Sequence, residues 1–203
     1  MAVWIALLRG VNVVGSGKLP MADLASILGK LRCSDVKTYI QSGNVVLRHA
    51  NATSAELAKR IGVAISKSHG FHPKILVMSV DEFEKAAAAN PFRKAEADHK
   101  SLHLFFLSAK PDPSTLRALE GIKAPTESFA VIGKVFYLHT PDGFPMSKLA
   151  KRAEKILGVD ATARNWRTVR STSRCNAIGP PIATVIWTTR SWPTNGGITS
   201  ATV

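Results

Sequence analysis

A chain of 203 residues, 45% of them hydrophobic, is long enough for one large or two small buried cores, which excludes a wholly disordered protein. Its 27 Lys and Arg against 14 Asp and Glu give a formal charge of +13, which favours anionic partners such as nucleic acid, phosphorylated metabolites or an acidic protein surface, although the same charge also serves solubility. Two isolated cysteines, Cys33 and Cys175, exclude a disulfide framework and a cysteine-based zinc site and fit a reducing, cytoplasmic setting.

The apolar opening, residues 1–8, has no basic leader region and is too short for a membrane span, so no export signal and no membrane association are expected. Residues 3–8 read instead as a buried strand that Gly10 ends, followed by a loop over 11–18. Pro20 suits the first turn of a helix carrying Met21, Leu24, Leu28 and Leu31 at helical spacing. Two β-prone runs, 36–40 and 45–47, flank Gln41-Ser42-Gly43-Asn44, whose Gly and Asn tolerate positive φ, and so predict a hairpin. Thr53 and Glu56 form a capping-box pattern ahead of Leu57, Ile61, Ala64 and Ile65 on one helical face. A strand over 75–78 completes a β-α-β-β-α-β order, that of a ferredoxin-like plait.

Ser79 and Glu82 repeat the capping box before an alanine-rich helix that Asn90-Pro91 stops. After a polar connector come a strand over 102–107, a helix after Asp112-Pro113, a hairpin of 129–132 and 135–138 around Gly133, an amphipathic helix over 147–157 ended by Gly158, and a short strand over 159–163. The order repeats without residue identity between the halves. The expected class is therefore α+β, with two consecutive ferredoxin-like plaits. The first spans 1–79. The second spans 80–175, with a leading helix over 80–89 and a closing basic helix. Residues 176–203, rich in Thr, Ser, Pro and Gly with Arg190 as their one charge, read as a poorly ordered extension.

Four ordered segments carry a resemblance: Ala6-Leu7-Leu8-Arg9-Gly10-Val11-Asn12-Val13, Thr38 to Val45, Asn90-Pro91-Phe92, and Thr162-Ala163-Arg164-Asn165-Trp166-Arg167-Thr168-Val169. Over residues 1–170 the chain resembles the bacterial domain-of-unknown-function family 1697. That resemblance implies paired ferredoxin-like subdomains and brings no activity with it. Val14-Gly15-Ser16-Gly17 and the segment after residue 170 depart from the family pattern.

Two clusters carry candidate chemistry. Gly10-x-x-x-x-Gly15-Ser16-Gly17-Lys18 looks like a phosphate loop, but Lys18 is displaced and Leu19 stands where Ser or Thr would hold magnesium, so nucleotide hydrolysis is disfavoured. If the hairpin tip lies beside this loop, Arg9, Asn12, Lys18, Gln41, Ser42 and Asn44 make a polar, cationic site for a small phosphorylated or carboxylated molecule held between the plaits; alternatively the tip merely satisfies its own backbone. Lys148, Lys151, Arg152 and Lys155 fall at i, i+3, i+4 and i+7, a cationic stripe along one helical face. Arg164, Asn165, Arg167, Arg170 and Arg174 extend it, with Trp166 as a stacking surface for a base or, alternatively, a core anchor with Arg164 and Asn165 bracing a neighbouring helix. His69, His72, His99 and His103 lack the spacing of a metal site, no nucleophile motif is present, no catalytic set can be assigned and no cofactor is implied. The leading expectation is a noncatalytic anion- or RNA-binding protein; the rivals are an enzyme or sensor for a small anion, and a partner in a protein complex that uses the Thr-rich tail.

Overall fold

The computed structural model describes residues 1–13 and 15–176, so the Thr-rich extension lies outside the described residues. The first half runs β1 (Ala2–Arg9), α1 (Met21–Lys30), β2 (Ser34–Tyr39), β3 (Asn44–His49), α2 (Ser54–His69), β4 (Lys74–Ser79) and α3 (Val80–Ala88). The second runs β5 (Leu102–Leu107), α4 (Thr115–Glu120), β6 (Ser128–Ile132), β7 (Val135–His139), α5 (Lys148–Leu157), β8 (Ala161–Asn165) and α6 (Trp166–Asn176). Each half contributes one four-stranded antiparallel sheet, in the orders β2-β3-β1-β4 and β6-β7-β5-β8. The class is α+β.

The central strands are apolar on both faces, and this decides the layering. In β1, Ala6 and Leu8 face α1 and α2, whereas Ile5 and Leu7 face the opposite way, and all four are buried. In β5, Phe105 and Leu107 face the side of α4 and α5, whereas Leu102, Leu104 and Phe106 face away. The two inward faces meet in one shared core, with α3 and α6 between them. Phe83 of α3 stacks on Phe106 of β5 with ring centroids 5.0 Å apart, and the Tyr137 hydroxyl of β7 donates to the Ala86 carbonyl at 2.7 Å. Reciprocally, α6 packs on β2 and β3 of the first sheet.

Several boundaries move from their sequence expectation for local reasons. Both predicted caps form: Thr53 accepts from the Glu56 amide, and Ser79 and Glu82 close a reciprocal box. The last strand starts two residues later than expected and runs to Asn165, because Gly158 in the left-handed region caps α5 and Val159-Asp160 turn the chain. Beyond it stands α6, whose first turn is capped by Asn165 Oδ1 accepting from the Thr168 amide at 2.9 Å. In the connector, Asn90 is buried, donates to Glu96 at 2.9 Å and accepts the Phe92 amide at 3.0 Å, so it acts as the elbow between the halves. Among the described residues no helix is long and apolar enough to cross a membrane.

Because Phe83 belongs to a core that both sheets share, Phe83→Ala is expected to cost about 3–5 kcal/mol and to shift a single urea transition of the whole molecule. Two separated transitions, with only one of them displaced, would show that the halves do not share a cooperative core.

Candidate functional site

The loop after β1 closes on itself. The Asn12 amide donates to the Gly17 carbonyl at 2.9 Å, the Ser16 amide to the Val13 carbonyl at 3.0 Å, and the Val13 amide to Ser16 Oγ at 3.0 Å. Asn12, held at φ 55°, donates from Nδ2 to the Leu19 carbonyl at 2.7 Å and to the Gln41 carbonyl at 2.8 Å, while its Oδ1 accepts the Leu19 amide at 2.7 Å. Three of the loop's backbone amides, those of Asn12, Val13 and Ser16, are thus engaged within the loop itself, which adds to the spacing argument against a phosphate cradle.

Asn12 therefore ties the loop to the β2–β3 tip, the juxtaposition that the sequence left as one of two alternatives. The tip differs from expectation in its dihedrals. Positive φ falls on Ile40 (50°) and Gly43 (72°) rather than on Asn44. Gly43 has no substitute here, since a Cβ would sit 2.7 Å from Leu8 Cβ and 2.9 Å from Val11 Cγ2. Asn44 stays extended because its side chain points inward. Fully buried, it donates to the Tyr39 carbonyl at 3.1 Å and Ser42 Oγ at 2.9 Å, and its Oδ1 accepts from Arg164 Nε.

Arg164 comes from β8 of the other half. Besides Asn44 it donates to the Leu8 carbonyl at 2.7 Å, the Ser42 carbonyl at 3.2 Å and its neighbour's carbonyl, Ala163, at 2.9 Å. Burial lowers its pKa to about 10, which leaves it cationic at neutral pH. Beside it, Arg9 donates to Glu154 of α5 and to the Ala161 carbonyl at 2.9 Å, and Lys74 pairs with Asp160. The hydrogen bond from Arg9, outweighing partial burial, holds the Glu154 carboxyl below its ordinary pKa.

Of the six residues proposed for a small-ligand site, Arg9, Asn12, Ser42 and Asn44 come together where the halves join, with the Gln41 carbonyl beside them. Arg9, Asn12, Ser42 and Asn44, however, are engaged in holding loop, hairpin tip and second half together. Lys18 and Gln41 are exposed. The residues that sequence reasoning missed are Lys74, Glu154 and Asp160; the available signal was Glu154, the one acid in the α5 sequence KLAKRAEKIL.

The stripe is corrected in part. Lys148, Lys151, Arg152 and Lys155 are exposed along α5, opposite buried Leu149, Ala153 and Leu157, and make no ion pair among the described residues. Arg164, Asn165 and Trp166 do not extend it: Arg164 is pinned in the junction, Asn165 caps α6, and Trp166 is 4% exposed in the shared core, so its ring offers no stacking surface. Arg167, Arg170 and Arg174 are exposed on α6, a separate helix in the middle layer.

Among the described residues no three His, Cys, Asp or Glu side chains gather as a metal set. His69 is hydrogen-bonded to Asp23 at 3.2 Å, and His103 stacks on Phe144 at 3.8 Å between centroids, where burial lowers its pKa to about 4.

Two outcomes follow for the junction. Arg164→Met strands Asn44 Oδ1 and the Leu8 carbonyl and should cost about 3 kcal/mol by urea denaturation; Arg164→Lys should fail to restore it, since one ammonium cannot span the same fork of acceptors. For Glu154 the folded pKa lies below the ordinary 4.5, so its stabilisation is complete above that value and is lost as pH falls through the depressed pKa. The wild-type advantage in Tm over Glu154→Gln should therefore shrink below about pH 4.5. Given the pair's exposure it should amount to no more than about 1 kcal/mol.

Comparison with known proteins adds one family and one fold. A solved structure of a conserved bacterial protein from Streptococcus pneumoniae is similar with a TM-score of 0.67 at 22% identity, covering 86% of this chain and 98% of that one, a likeness of fold alone. No curated protein matches the chain. The family described as "Protein of unknown function (DUF1697)" matches residues 1–137, a span that holds three of the four segments singled out above, and the chain belongs to that family.

Proposed function

We propose that this is a noncatalytic, cytoplasmic binding protein for a polyanion, with RNA or another single-stranded nucleic acid as the partner of best fit. One observation carries the reading: the four cations of the α5 stripe are exposed and without ion pairs among the described residues, whereas the polar residues of the junction already have internal partners. In a chain with a formal charge of +13 such a face attracts phosphates without sequence preference.

We also infer that each half is a ferredoxin-like plait, 1–79 and 80–175. The strand orders and the pairs α1/α2 and α4/α5 on one face of each sheet support this. Plaits of many RNA-binding modules stack bases on an open sheet, but here the second face of each sheet enters the shared core. Contact with nucleic acid therefore falls to helices and grooves.

The test is fluorescence anisotropy with a labelled single-stranded RNA over a range of salt. Changing Lys148, Lys151, Arg152 and Lys155 together to Gln should weaken binding at least tenfold and reduce the salt slope by about 3, from roughly 0.7 per phosphate contact. Binding no tighter than that of an unrelated protein of equal charge, or unchanged in the variant, would overturn the reading.

A further inference from the structure

The stripe runs onto a shallow surface depression. Its last residue, Lys155, lines a shallow trough of about 540 Å³ whose other walls include Glu154, Ser108 and Asp160. Ser108 and Asp160 also line a second, more enclosed cleft of about 380 Å³, where β4 and β8, the outer strands of the two sheets, approach each other. Trough and cleft thus form one path leading from α5 into the seam between the halves.

The lining changes character along this path. Among the described residues, carboxylates occur along it only where they are matched, Glu154 by Arg9 and Asp160 by Lys74, which leaves Lys59 and Lys155 as cations without an ion pair there, one at each end. The cleft has an apolar floor from Ile75, Leu76 and the edge of Phe106. Among its lining residues is His72, exposed, with its ring against Gly62 of α2, where an added Cβ would come within 2.8 Å of His72 Cε1. An accessible ring at the rim of a cleft with an apolar floor, with cations to either side, has the composition of a site that takes one unstacked base while its flanking phosphates stay on the cations. The volume is of the order of small-ligand pockets, too narrow for a duplex.

We propose that this path seats a single strand, with an unpaired base in the inter-half cleft against His72 and its phosphates running past Lys59 and Lys155 onto the α5 stripe. This rests on the polyanion reading and adds to it a requirement for single-strandedness and for a base.

The experiment compares three labelled probes of equal length, a single-stranded RNA, its duplex and an abasic single strand, against wild type, His72→Ala, His72→Phe, Lys59→Gln and the stripe variant. The single strand is expected to bind at least tenfold more tightly than the abasic strand and the duplex. His72→Ala should abolish most of that preference, His72→Phe should restore it through ring stacking, and Lys59→Gln should weaken the single strand several-fold. If all three probes bind equally and only the stripe variant loses affinity, the base-seating cleft is wrong and the polyanion reading stands. If no probe binds, both fall.

Discussion

The structure turns on a guanidinium that has left water for neutral oxygens. Arg164 crosses from β8 into the first half and finds Asn44 Oδ1 and the carbonyls of Leu8 and Ser42, with no carboxylate among its hydrogen-bond partners. Desolvation without a counter-charge is why its pKa drops to about 10, and it is tolerable only because the planar fork is matched by acceptors set at fixed positions. Those positions constrain much else. Asn44 must be buried and extended, Gly43 must take the left-handed conformation against Leu8 and Val11, and the strain of a β-branched Ile40 at φ 50° is absorbed at the tip. Asn12 then brings the β1–α1 loop to the same place.

The four segments that carry the family resemblance thus share a structural assignment. The first supplies Arg9 and Asn12, the second Asn44, the third the Asn90 elbow, and the fourth Arg164 with the Asn165 cap and the Trp166 anchor. Each joins one half to the other or fixes the chain where it passes between them. Their polar chemistry looks like that of a ligand site because a desolvated polar junction needs the same side chains: amides for geometry, Arg for a fork of donors, Gly for close approach.

The junction also sorts the protein's charge. The carboxylates Glu154 and Asp160 are paired there with Arg9 and Lys74, whereas Lys148, Lys151, Arg152 and Lys155 on α5 have no carboxylate partner among the described residues. In a chain of formal charge +13, the α5 face and the adjoining trough are therefore one of the places where unpaired positive charge meets water. The inner faces of both sheets, by contrast, are committed to the shared core and offer no open platform.

Local structure was largely legible in the sequence, because it rests on short-range rules. The central strands showed as apolar runs, the helices as stripes of Leu and Ile, and the helix caps at Thr53 and Ser79 as residues three apart, of which only the second closes as a full capping box. The α5 stripe followed from i, i+3, i+4, i+7 spacing alone. The meeting of Asn12 with the Gln41 carbonyl was one of two alternatives the sequence left open, the other being a hairpin tip that satisfies only its own backbone. What tertiary structure decided was everything that depends on long separation: that Arg164, 120 residues from Asn44, belongs to the junction rather than the stripe, that Trp166 is core, and that α3 and α6 form a middle layer. Spacing reports which residues share a face of one element. It carries no information on which distant face will cover it, and for a polar or aromatic side chain that covering alone determines whether it binds a partner or the rest of its own chain.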